Sequence, residues 1–545
     1  MIGKKKFIFL TLLFIGVLYF VVFWFPNATG AHDLNMTYIF NSDEPAQYPA
    51  VIRMLTPASN PTLSQALYRF FAYQIYFYGF PYYLFSAVIV LLPVKLIFGL
   101  GNLQLNMLIL RQFVSVLPMI AALMILVYLQ TKFESLLKSV GLFLLLLLIP
   151  GVVFNDMWFH PESLVFLFIV LTFFFLVQDN LKFGRNFYLA ALFCGLAVAT
   201  KQIGLFFFLA IPLYIFLGWR RKSIDTRRAV GLAAAFVAIM VAVFVFTNPF
   251  LFWASERKLA LRTQITLHKH IAAGFTVLYH NSPLTWFSVV AENYSTLPFL
   301  ALAFVAAIIA SIKSERRLLN GLILAWVIPF SLYIAFALVI RPKHFPLPIL
   351  LPLYSALPAY FTVFAPPRWM GPLGDYLKKY GVRLLMFLAG LVIVGWQFVY
   401  SLNMDVAQYM DTLNREKNNP SLNFYSALDH NDLSRLTLDR QLVVFRDVAM
   451  YVPNSANDKV YYQWGVSGYA DIHKFNADLL VLSKQHLYDY TQPGQTAVDP
   501  NFSDAVHLYK DALAGKVQGY TLIYQDAFGM AYLSTPLAAE FLSTH

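Results

Sequence analysis

Long apolar runs separated by short basic loops carry the chain as far as residue 402, and there the pattern stops. The first run, Phe7 to Phe25, follows Lys4-Lys5-Lys6 and is 19 residues long, enough to span a bilayer as a helix. The Ala28-Thr29-Gly30-Ala31 stretch behind it is a poor cleavage site, so the run reads as an uncleaved helix with its N-terminus inside. Further apolar runs cover 107 to 130, 138 to 154, 162 to 178, 187 to 200, 202 to 218, 229 to 247, 293 to 312, 318 to 340, 346 to 364 and 384 to 402. With the first helix they predict about eleven crossings.

A polar loop follows the first helix, and Pro57, Asn60 and Pro61 divide it into two short pieces. The second piece, Leu63 to Tyr78, is rich in Tyr and Phe, which favour the headgroup level, so both are expected to be helices lying on the outer surface. Gly79 to Leu100 is apolar enough to cross. Its crossing would, however, put five basic loops on the outside: Thr131 to Lys138, Asp179 to Arg185, Trp219 to Arg228, Lys313 to Arg317 and Pro366 to Arg383. Cytoplasmic loops collect Lys and Arg, so 79 to 100 is expected to re-enter or lie at the interface, with 26 to 106 external. The odd number of crossings then leaves the C-terminus outside.

From Asn403 the composition is that of a soluble domain. Asp405 to Lys417 reads as a helix leaving the membrane, Lys459 to Trp464 and Ala477 to Ser483 as buried strands, and Tyr520 to Tyr524 with Met530 to Ser534 as a hairpin. The expected architecture is mainly α: a polytopic helical bundle over 1–402 and a small external α/β domain over 403–545.

Composition narrows the class. The chain is 59% hydrophobic and only 12% charged, as for an integral, multi-pass membrane protein. The net charge of +12 would suggest nucleic acid in a soluble chain. Here residues 1 to 402 carry 30 basic and 12 acidic side chains and 403 to 545 carry 10 and 16, so the excess belongs to membrane loops and nucleic acid is not the partner. The single cysteine, Cys194, excludes a disulfide framework or a cysteine metal site.

Chemistry concentrates outside the first helix. Asp43 and Glu44 are adjacent carboxylates in the external loop with Arg53 beyond them, suited to deprotonating an acceptor hydroxyl; Asp-Glu-Pro is equally ordinary turn chemistry. Two cation clusters fall where Lys and Arg should be rare: Arg257, Lys258, Arg262 and Lys269 with His268, His270 and His280, and the turn Arg341-Pro342-Lys343-His344. An anionic phosphate at the outer leaflet, or anionic headgroups generally, would account for them. Lys201 sits between two apolar runs, where it either snorkels or meets a phosphate. Glu162, behind His160 and Pro161, is an ordinary first-turn acid or a second carboxylate that orients the acceptor or holds a divalent cation. His268 and His270, two apart, share no helical face, so no metal motif and no firm cofactor emerges.

This ordered set resembles the GT-C membrane glycosyltransferases, in particular the protein O-mannosyltransferases and lipid A aminoarabinose transferases. It runs over about residues 1 to 365: Asp43-Glu44, Gly79-Phe80-Pro81-Tyr82-Tyr83, Leu110-Arg111, His160-Pro161-Glu162, Thr200-Lys201-Gln202-Ile203-Gly204, Thr247-Asn248-Pro249-Phe250 and Arg341 to Pro348. Glu162 stands where the family often has Asp, and the family's Lys-Pro-Pro type of motif appears only as Phe80-Pro81. The resemblance implies a sugar donor on a polyprenyl or dolichyl phosphate, a lipid, glycan or protein acceptor, a non-cytoplasmic active site, inversion at the anomeric carbon, and Asp43 as base. On this reading Lys201, Arg341, Lys343, His344 and Arg262 hold the donor phosphate, while Arg53, Tyr82, Tyr83, His160, Glu162 and His268 shape the site or the acceptor subsite. The alternative is a transporter or flippase for a lipid-linked glycan. It accounts for the cations but not for their gathering on one side, and no internal repeat of the transporter kind is evident.

Overall fold

A computed structural model of the 545-residue chain describes residues 2–57, 59–367, 373–431, 433, 439–463 and 465–543. Part of the basic loop Pro366 to Arg383 and the last residue of the expected strand Lys459 to Trp464 lie outside the described residues.

Among the described residues nine helices are long and apolar enough to cross a membrane, or ten if Thr285–Asn293 and Leu297–Lys313, bent by 98° at their junction, form one broken span. The expected runs at 138 to 154 and 187 to 200 are the shorter apolar helices Leu136–Leu147 and Arg185–Thr200; Pro150 restarts the first as Pro150–Asn155. The last span continues without a break as Leu373–Leu413, so the helix expected to leave the membrane is the same helix. A buried apolar core between Leu117–Thr131, Glu162–Asp179, Arg185–Thr200 and Arg317–Ala337 holds the bundle together.

The Phe80–Phe98 helix has the length and hydropathy of a span, and side chains and loops hold it at both ends. At its start, Asn248 Oδ1 accepts from Phe80 N–H and Thr200 O from Gly79 N–H, while the Tyr78 hydroxyl meets His160. At its end, Lys95 reaches Leu55 O at 2.5 Å, and shortly beyond it Gln104 donates to Ala28 O at 2.7 Å. Since Asn27 in turn donates to Asp156 O, the His160 region and the Ala28 region are one layer.

The C-terminal domain is a five-stranded sheet in the order β2-β1-β3-β5-β4. Its strands are β1 (Leu442–Arg446), β2 (Asp458–Tyr462), β3 (Leu479–Ser483), β4 (Tyr520–Gln525) and β5 (Gly529–Ser534). The first three run parallel and the β4–β5 hairpin is antiparallel. Strand β1, absent from the sequence reading, occupies an inner position although it ends in the buried Arg446; β2, read as buried, is a half-exposed edge. The domain is fastened to the membrane part at several places. Arg446 lies over the rings of Tyr38 and Tyr462 and donates to Asn35 Oδ1, while Tyr451 donates to Asp33. On the other side, Val277 pairs with Ala497 as a β-bridge.

Candidate active site

Asn41 Oδ1 accepts from the backbone N–H of Asp43 as the chain turns into the helix Asp43–Leu55. This places both acids in the first turn, where the helix dipole favours negative charge. They face different surroundings. Glu44 is fully buried: Arg111 grips it through Nε at 2.7 Å and Nη2 at 2.5 Å, and Phe159 N–H donates to it at 2.8 Å. The remaining Arg111 donors go to Asn27 O and Thr29 O. Arg111 opens a π-helical segment, Arg111–Val116, within the Leu103–Thr131 helix; such local widening is frequent at functional sites. Glu44 thus ties the acid loop to the end of the first span.

Asp43 stays 38% exposed, its Oδ2 3.7 Å from His160 Nε2. Burial raises its carboxyl above the ordinary range, opposed by His160 and Lys201 and aided by Glu162 and Glu44. Behind it lies a buried cluster. His160 stacks on Trp158 at 4.0 Å between ring centroids and meets the Tyr78 hydroxyl at 2.5 Å. Its Nδ1 is 2.8 Å from Glu162 Oε2. Glu162 Oε1 receives the Lys201 ammonium and is 3.5 Å from His344 Nε2. Lys201 lies at the extended cap of Arg185–Thr200, between the rings of Tyr78 and Phe345 at 5.4 and 5.0 Å. Burial, with Lys201 beside it, holds His344 well below its ordinary range and therefore neutral.

The helix junctions make this meeting possible. Gly79 approaches the Arg185–Thr200 helix so closely that a Cβ there would stand 1.6 Å from Ala199 O. Only glycine lets Gly79 N–H bond to Thr200 O, which carries Tyr78 over Lys201.

Other predicted site residues have different places. Arg341 is spent on carbonyls: Ile334 O at 3.1 Å, Ala335 O at 2.8 Å and Ser282 O at 2.9 Å. It caps the end of Arg317–Ala337 rather than presenting a free guanidinium. Lys343 lies 3.5 Å over the Phe154 ring. Arg262 and His268 are exposed on Ala254–Ala273, with no bond to the cluster among the described contacts. Arg53, ten residues along the helix from Asp43 and hence about 15 Å away, belongs to a neighbourhood around Tyr68 and Glu256. Tyr83 bonds Gln47 and Ile75 O. Tyr82 stacks on Phe159, and its buried hydroxyl has no hydrogen-bond partner among the described residues.

His160, Glu162 and His344 bring potential metal-ligand atoms within 4.8 Å of one another. The set does not fit a divalent cation, because the Lys201 ammonium already occupies the one carboxylate among them and would repel it. Sequence reasoning gave no role to Tyr78 or Trp158 and named Arg111 only within the family resemblance, without a place in the site. Arg111 carried a signal, a lone arginine inside an apolar run, since a charge there requires a partner.

No protein-family model and no curated protein matches the chain. Solved structures do match in three dimensions. The crystal structure of ArnT from Cupriavidus metallidurans bound to undecaprenyl phosphate aligns over 96% of this chain and 98% of that one, with TM-score 0.53 and 12% identity. In the apo state the same protein aligns over 95% and 97%, with TM-score 0.50 and 12% identity. The archaeal oligosaccharyltransferase AglB from Archaeoglobus fulgidus, in complex with an inhibitory peptide and a dolichol-phosphate, aligns over 97% of this chain and 74% of that one, with TM-score 0.47 and 12% identity.

Proposed function

We propose that this chain, which has the GT-C fold of membrane glycosyltransferases, is an inverting glycosyltransferase. It moves a sugar from a polyprenyl phosphate to an acceptor hydroxyl at the non-cytoplasmic face. The observation that carries the reading is the meeting of Asp43 with Lys201, through His160 and Glu162, at one end of the helical bundle. ArnT, bound to undecaprenyl phosphate in its crystal structure, supplies the model for the donor. The basic loops support the sidedness: Lys132 lies near Lys5, at the opposite end of the bundle from Asn27 and the acid cluster.

In this mechanism Asp43 takes the proton of the acceptor hydroxyl as its oxygen attacks the anomeric carbon. The bond to the lipid phosphate breaks, its electron pair stays on the phosphate oxygen, and the new bond forms on the opposite face. Lys201, with Lys343 nearby, meets the developing charge without giving up a proton; a fixed cation so aimed is typically worth about 2 to 4 kcal/mol of barrier. Glu162 holds Lys201, and His160 holds Glu162. Glu44 and Arg111 fix the helix that carries Asp43, and the C-terminal domain covers the site from outside.

The test is turnover of a panel of polyprenyl phosphate sugars by purified protein in nanodiscs. Wild type is expected to release polyprenyl phosphate, and Asp43→Asn to release none while melting at the same temperature. Full turnover by that variant would remove Asp43 from the chemistry, and vesicles that translocate the lipid without cleaving it would favour the flippase.

A further inference from the structure

Far from the acid cluster, the hairpin of Ile211–Arg220 and Thr226–Phe246 borders an open apolar cavity of about 350 Å³. Its origin is a mismatch of side-chain size. One helix offers Ile211, Ile215 and Trp219, while three of the four lining residues of the other are small, Thr226, Ala229 and Ala233 beside Val230. Small residues opposite large ones leave a slot between two spans, open toward the lipid.

The slot ends at a rigid basic loop. Trp219 Nε1–H donates to Thr226 Oγ1 at 3.2 Å across its mouth. Ser223 donates to Gly218 O from both its amide, at 3.0 Å, and its hydroxyl, at 2.8 Å, and Ile224 is buried beneath. The turn so pinned presents Arg220, Arg221, Lys222, Arg227 and Arg228, all exposed. Asp225, the only acid between Trp219 and Arg228, is occupied in accepting from Arg228 N–H at 2.7 Å. Arg227 and Arg228 lie in the first turn of their helix, where the dipole disfavours cations, so helix stability is not the reason for them.

We propose that this slot and loop form a binding site for an anionic phospholipid, with an acyl chain in the slot and its phosphate among the five cations. Retention of positive charge on one side of the membrane explains the cations but not the slot. A greasy slot alone would take the chain of any lipid without preferring a headgroup. Their adjacency is what selects a lipid with net negative charge, each Lys or Arg near the surface adding to the attraction. The site is independent of the sugar-transfer reading, being at the other end of the bundle.

Native mass spectrometry of the full-length protein tests it, with equimolar phosphatidylglycerol and phosphatidylcholine of matched chains. Wild type is expected to retain phosphatidylglycerol about tenfold over phosphatidylcholine. Arg220→Gln with Arg221→Gln and Lys222→Gln should bring the ratio close to one, with Arg227→Gln plus Arg228→Gln as the alternative should the first set fail to fold. Ala233→Phe, which fills the slot and leaves every cation in place, should lower retention of both lipids severalfold. Equal retention of the two lipids by wild type would overturn the proposal. So would retention of phosphatidylglycerol that Ala233→Phe leaves unchanged, since the cations alone would then account for it.

Discussion

Asp43 and Glu44 are neighbours in sequence and opposites in environment, and that contrast yields separable predictions. Glu44→Gln leaves the buried Arg111 guanidinium without its counter-charge, which should cost roughly 3 to 5 kcal/mol; a thermal melt should fall sharply. Asp43→Asn, at a part-exposed position, should leave the melt alone. The two acids also differ in what pH does to them. Burial raises the Asp43 carboxyl, and a base works only when deprotonated. The turnover rate should therefore fall as pH drops through a value above the usual Asp pKa of about 3.9, and no such limb should survive in a variant that keeps residual activity without this carboxylate. Lys201→Gln removes the cation held on Glu162 and should lower turnover about 10² to 10³-fold. Arg341→Gln, by contrast, uncaps a helix end, costing about 1 kcal/mol of stability with little change in turnover. Parallel kinetics and melts of the two variants separate a phosphate ligand from a cap.

At the scale of elements, the site is assembled by junctions rather than by long helices. Gly79→Ala would drive a methyl group into Ala199 O and push Tyr78 away from Lys201 and His160. Loss of turnover with little change in protein yield is expected, read from activity and from the amount of protein in membranes. This is also where the sequence spoke least clearly. Apolar runs long enough to span are legible because composition alone decides them. What meets the far end of Phe80–Phe98 is instead a matter of Lys95 reaching Leu55 O and, just beyond the helix, Gln104 reaching Ala28 O, contacts that no local pattern records. Likewise Asp43, His160, Glu162 and Lys201 stand out in sequence because charges beside apolar runs are expensive. The carbonyls that occupy Arg341 do not stand out, since every residue has one.

At the scale of the molecule, the membrane part and the C-terminal domain share a boundary built on a buried charge. Arg446 is fully buried and spends its Nη donors on Asp447, Val448 and Met450 carbonyls and on Asn35, with Tyr38 and Tyr462 against its face. Arg446→Met should loosen the domain, seen as faster hydrogen exchange in Asp458–Tyr462 and Leu34–Phe40 while the spanning helices stay protected. The boundary escaped the sequence reading because β1 is five residues long and ends in a charge, which reads as a loop until its partners are in place. The whole account rests on a single pocket receiving a lipid phosphate beside an acid. A structure of the protein with a short-chain polyprenyl phosphate bound tests this most directly. The phosphate is predicted to lie within hydrogen-bond distance of Lys201 Nζ, with an open path to the Asp43 carboxylate; a phosphate seated elsewhere, with Lys201 still locked on Glu162 and Asp43 facing away, would contradict it.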